Sequence, residues 1–132
     1  MTGPALDEQC PARELLDRVG DKWSTLLLLL LHRDGVQRHA QLRRALPDLS
    51  TKVLTQTLRS LERDGLVSRE VRSVSPPHVE YALTELGSSL VAAMDGLTVW
   101  AFAHMDRVHA ARDAYVEQPP AWLVPREPAG AA

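Results

Sequence analysis

The chain has 132 residues, 45% of them hydrophobic and 24% charged, which fits one globular domain and excludes a disordered composition. A lone cysteine, Cys10, excludes an internal disulfide framework and a multi-cysteine zinc site. The net charge of -2 taken whole decides nothing about nucleic acid, but residues 32–72 hold nine basic groups against five acidic ones, +4, which leaves -6 for the rest.

Thirteen of the 15 basic residues are arginine, whose planar fork of donors suits phosphate and guanine edges. The longest apolar run is Leu26 to Leu31, against about 20 residues for a bilayer span. The polar, acidic start MTGPALDEQ lacks the apolar region of a signal peptide. The expectation is a cytoplasmic protein with no transmembrane helix and no membrane partner.

Residues 1–9 show no periodicity and read as a flexible tail. The stretch from Cys10 to Gly20 reads as a short helix, with Pro11 in the first turn, where its missing N–H costs nothing. Asp21 is placed to cap a second helix from Lys22 to about His32. Its six consecutive leucines cover every side, so this helix belongs in the centre of the fold. Val36 to Arg38 fits a short strand or an extended link. His39 to Leu46 is helical, with Leu42 and Leu46 one turn apart, and Pro47-Asp48-Leu49 breaks it.

Ser50 is an N-cap residue for a helix running to Asp64, with Gly65 at the stop position. Val67, Arg69 and Val71 alternate in one strand, Val79, Tyr81 and Leu83 in the next, and Ser75-Pro76-Pro77 turns the chain between them. Thr84 caps a long last helix to about Tyr115, with apolar residues at helical spacing. Residues 116–132 hold four of the nine prolines and read as a mostly disordered tail, with Trp122-Leu123-Val124 as a docking point. The domain proper is therefore 10–115. The fold class expected is mainly α with a small β-hairpin: helix-turn-helix followed by a hairpin, the winged helix-turn-helix layout, with recognition helix 50–64 and wing 66–83.

The helix from Ser50 carries the chemistry. At about 100° per residue, Leu54, Leu58 and Leu61 share one face, and Lys52, Gln56, Arg59 and Arg63 share the opposite one, with Thr55 at the edge. Gln pairs bidentately with adenine, Lys and Arg donate to guanine, and Ser50 and Thr51 at the helix start offer groups to phosphate. Arg38, Arg43 and Arg44 precede this helix, and Arg69, Arg72 and His78 lie on the wing, which can reach the adjacent backbone or minor groove. The DNA-contact candidates are Arg38, Arg43, Ser50, Thr51, Lys52, Thr55, Gln56, Arg59, Arg69, Arg72 and His78. The competing reading is a winged-helix module whose arginine stripe meets an acidic protein. No phosphate loop, nucleophile elbow or zinc-protease motif occurs, so an enzyme is not expected, and no cofactor or metal is called for.

The sequence resembles the HxlR-type winged helix-turn-helix transcriptional regulators, which are MarR-like. The residues that carry this are Cys10-Pro11, Gly20-Asp21-Lys22-Trp23, Leu42 to Pro47, Leu54 to Val67, Pro76 to Tyr81 and Leu83-Thr84-Glu85-Leu86-Gly87. The resemblance implies a homodimer, a repressor in the first reading, on a pseudo-palindromic operator in double-stranded DNA, with the first and last helices as dimerisation helices. Family members often carry an aromatic where His39 stands and Arg where His78 stands.

A last helix of about 30 residues, 84–115, is about 45 Å long, more than this domain can cover. Leu90, Leu97, Trp100 and Met105 are the dimer-interface candidates. Against this stands the reading in which the N-terminal helix of the same chain covers the stripe. Several members of the family are thought to sense oxidants or electrophiles through a cysteine where Cys10 stands, which makes Cys10 the redox-sensor candidate. The alternative is an inert thiol packed at the interface, since Asp7, Glu8 and Glu14 disfavour a thiolate. An oxidant or a small molecule is the effector implied.

Overall fold

The computed structural model describes residues 10–117 and 119–123. The tail readings for 1–9 and 124–132 lie outside them. The order is α1 (Pro11–Val19), α2 (Lys22–Asp34), β1 (Gln37–Arg38), α3 (His39–Ala45), α4 (Thr51–Arg63), β2 (Val67–Ser73), β3 (His78–Leu83) and α5 (Glu85–Ala114), then a 3₁₀ turn at Ala121–Leu123. This is a winged helix-turn-helix. The chain divides into two compact units, Met1–Asp95 and Gly96–Ala132.

In the first unit α2 is central, as six leucines in a row require. Leu27, Leu28, Leu30 and Leu31 are buried, and Leu42 of α3, Leu54, Leu58 and Leu61 of α4, and Leu49, Leu66, Val67, Tyr81 and Val91 complete the core. Each fully buried leucine side chain contributes about 1.5–3 kcal/mol over its exposed state. Asp21 caps α2 indirectly. It sits at the N-cap with extended backbone, but its carboxylate accepts from the Ser24 hydroxyl and not from a backbone N–H. Ser50 caps α4 directly, its Oγ accepting from Val53 N at 3.2 Å. Gly65 ends α4 at φ +76°, a left-handed conformation in which any other L-residue is strained.

Val36 to Arg38 resolves into a two-residue strand. β1 pairs antiparallel with β3, so the sheet has three strands in the order β1-β3-β2. Two residues are too few for a period to register, so this strand was indistinguishable from a link. In the hairpin Val67 faces Leu83, Arg69 faces Tyr81, Glu70 faces Glu80 and Val71 faces Val79.

The corner between the sheet and α5 is tightly tied. Thr84 N donates to Leu66 O at 3.1 Å, and Thr84 Oγ1 donates to Gly65 O at 2.6 Å while accepting from Gly87 N at 3.0 Å. A Cβ at Gly87 would lie 2.1 Å from Leu66 O, so only glycine fits there.

α5 begins in the first unit, where Gly87, Val91 and Met94 are buried and Leu90 packs against the core. Leu90 is thus engaged by its own chain, unlike the exposed candidates Leu97 and Trp100. In the second unit Leu97, Trp100 and Phe102 are 64%, 51% and 89% exposed. Trp100 stacks on His104 with ring centroids 4.8 Å apart, and Met105 is half-buried. By length and composition α5 is also apolar enough to cross a bilayer. Counting uninterrupted apolar runs missed this, because Ala, Gly and Thr alternate with the larger side chains without adding charge. Trp122 and Leu123 in the 3₁₀ turn are exposed.

Candidate nucleic-acid interface

The leucine stripe of α4 is buried: Leu54, Leu58 and Leu61 are at most 1% exposed. The opposite stripe is free. Lys52, Gln56, Arg59 and Arg63 are exposed, and among the described residues none of the four makes an ion pair or a hydrogen bond through its side chain. Ser50 and Thr51 are exposed at the helix start, and Thr55 is half-buried at the edge of the stripe.

Two side-chain contacts tie α3 to α4, and neither follows from the sequence alone. Arg43 donates from Nη1 to Thr51 Oγ1. His39 Nε2 lies 3.3 Å from Thr55 Oγ1. Burial, and then the neighbouring Arg43 charge, holds the His39 imidazole below its ordinary value of 6.5. His39 is half-buried where the start of α3 meets α4. The signal available was the i, i+4 pairing of 39 with 43 and of 51 with 55 on adjoining helices.

The wing divides by face. Arg69, on the face of β2 shared with Val67 and Val71, lines a groove of about 330 Å³ with His39, Thr55, Arg59, Glu62 and Tyr81. The fold thus brings Arg69 beside Arg59. Arg72 and His78 do not join them. Arg72 Nε donates to Glu80 Oε2 at 3.0 Å and Arg72 Nη1 pairs with Glu70 Oε1 at 3.0 Å, while His78 Nε2 lies 3.0 Å from Glu80 Oε1. The hydrogen bond from Arg72 holds the Glu80 carboxyl below its usual range. Arg38, in β1, faces Glu80 from the other side and is exposed, its own N–H donating to Gln41 Oε1 at 2.8 Å.

A wider groove, about 640 Å³, lies where α1 meets the end of α4. Glu14, Asp17, Asp21 and Asp64 line it, with Arg18 paired to Asp64 at 2.6 Å. Its charge is the wrong sign for a phosphate backbone. Cys10 sits at the N-cap of α1 with 5% exposure.

Comparison with known proteins agrees with this geometry. The HxlR-like helix-turn-helix family matches residues 18–109. The HTH-type transcriptional regulator YtfH of Escherichia coli (strain K12) is 41% identical over 111 residues, 84% of this chain and 87% of that protein. Among solved structures, a transcriptional regulator ytfH from Salmonella typhimurium is 41% identical with a TM-score of 0.72, covering 85% of this chain and 99% of the other. The redox regulator HypR in its reduced form is 37% identical with a TM-score of 0.71, covering 76% of this chain and 99% of that one. With a matching winged fold, an exposed polar stripe on its fourth helix and relatives that are transcriptional regulators, the chain belongs to the HxlR-like helix-turn-helix family.

Proposed function

We propose that the chain is a homodimeric, sequence-specific DNA-binding repressor that works in the cytoplasm. The observation that carries this reading is the unengaged stripe Lys52, Gln56, Arg59 and Arg63, raised on a helix whose other face is buried leucine. In this reading α4, with its N-cap at Ser50, forms the recognition helix 50–64 and enters the major groove. Gln56 and Arg59 read base edges, and Ser50, Thr51, Lys52 and Thr55 meet the backbone. Arg43 and Arg69 flank the helix with further phosphate contacts, and Arg38, Arg72 and His78 lie further along the sheet.

The dimer is supported by the second unit. Leu97 and Trp100, about 60° apart on α5, share an exposed apolar face of the kind a second copy covers. The two recognition helices would then enter successive major grooves about 34–36 Å apart on a pseudo-palindromic site.

The test is titration of the protein against a duplex from its own upstream intergenic region and against a random duplex, over a range of salt. Neutralising about six phosphates gives a log–log slope near -5. Binding that is salt-steep and tighter on the upstream duplex supports the reading. A flat response with binding to an acidic protein instead would make the stripe a protein-docking face.

An oxidant response is the effector mode supported by similarity to a redox regulator, and Cys10 is the only thiol that can carry it. At 5% exposure, oxidation there requires the start of α1 to open. Cys10→Ser compared with the parent protein, with and without hypochlorite, decides it. Equal loss of DNA binding in both removes Cys10 as the sensor.

A further inference from the structure

The outer face of the sheet carries an arrangement that DNA contact alone does not explain. Three strands place Arg38, Glu80 and Glu70 in one cross-strand row. Glu70 and Glu80 stand directly opposite each other, and like charges so placed destabilise a ladder. Arg72 resolves the conflict by bonding both carboxylates at 3.0 Å. His78 closes on the remaining oxygen of Glu80. Two of the three cationic candidates on the wing, Arg72 and His78, are thus already occupied by carboxylate oxygens, and Arg72 is only half-exposed.

A carboxylate holding a guanidinium through its Nε and a phosphate oxygen doing so present the same acceptor chemistry. Moving Arg72 to DNA would also leave Glu70 and Glu80 facing one another, close to a polyanion. By contrast Arg59 and Arg63 have no such competitor among the described residues.

We propose that Glu80 is an internal stand-in for phosphate. It occupies Arg72 in the free protein, so that the wing contributes little to indiscriminate backbone binding and discrimination rests on α4. Contact between Arg72 and DNA then proceeds as an exchange of one oxyanion for another. This inference rests on the DNA-binding reading above.

The test is a cycle of Glu80→Gln, Arg72→Ala and the double variant, titrated on the upstream and random duplexes across a salt series. Glu80→Gln keeps the shape and removes the charge. It should tighten binding about two- to fivefold on both duplexes, the scale of an exposed ion pair, and steepen the log–log salt slope by about one. In the Arg72→Ala background the same change should have no effect. No gain from Glu80→Gln, or a gain that persists without Arg72, overturns the inference, the latter showing a general charge effect. Should Glu80→Gln misfold, the side-chain Nε–H resonance of Arg72 in the wild-type protein serves instead, and it must move when DNA is added. Failure of the wild type to bind any duplex overturns the DNA-binding reading itself, whereas wild-type binding with a flat cycle overturns this inference alone.

Discussion

Helices α4 and α5 are both built with apolar faces, yet only one of them finds its cover within the chain. Leu54, Leu58 and Leu61 of α4 disappear into the core, whereas Leu97, Trp100 and Phe102 of α5 remain exposed. α4 is short, and its single stripe is matched by α2. α5 has 30 residues, and past Asp95 it belongs to a second unit in which none of the described residues is buried. The lesson is that α4 is finished as a structural element and offers its polar side, while α5 is unfinished and offers its apolar side.

Four measurements press on that contrast. The largest effect is expected from Leu58→Ala, which empties part of the core under α4. It should cost about 2–5 kcal/mol of unfolding free energy in denaturant titration. A loss below 1 kcal/mol, on the order of a surface change, would mean that α4 is not anchored as described. Next, Trp100→Glu should leave the core intact and weaken self-association by about 2 kcal/mol or more, roughly 30-fold, in sedimentation equilibrium. An unchanged association constant would show that α5 is covered by something other than a second copy.

Smaller again, Gln56→Ala or Arg59→Ala should cost about 1–3 kcal/mol on the operator and less on random DNA. Equal losses on the two duplexes would reassign the residue to phosphate. The smallest effect concerns acid. Because the folded state holds His39 below 6.5, the unfolded chain takes up its proton first as pH falls. The His39 contribution to stability is unaffected above about pH 7, begins to fall near pH 6.5 and levels off below the depressed folded value. His39→Phe should remove that component from thermal melts recorded between pH 7.5 and pH 5, roughly the range in which histidine titrates.

Much of the fold was readable because its signals are local and strong. A run of leucines has only one place to go, and Ser50 and Gly65 bracket α4 with residues whose backbone chemistry demands those positions. The polar stripe followed from the helical period alone. What was not readable depends on register. β1 is a strand only because β3 lies beside it. The capture of Arg72 depends on Glu70 and Glu80 standing opposite each other, which no period within one strand reveals. Arg72 and His78 therefore looked like free wing cations in the sequence. The pairing of His39 with Thr55 spans two helices, so the i, i+4 spacing on each helix could only hint at it.

The crowding of Gly87 against the Leu66 carbonyl has a mechanical corollary. Twisting the start of α5 one way drives backbone into backbone, where repulsion rises steeply. Twisting it the other way pulls on the bonds that Thr84 makes to Gly65 and Leu66. Torque at the start of α5 would therefore pass to the end of α4 in part through backbone, by way of Gly65 and Leu66.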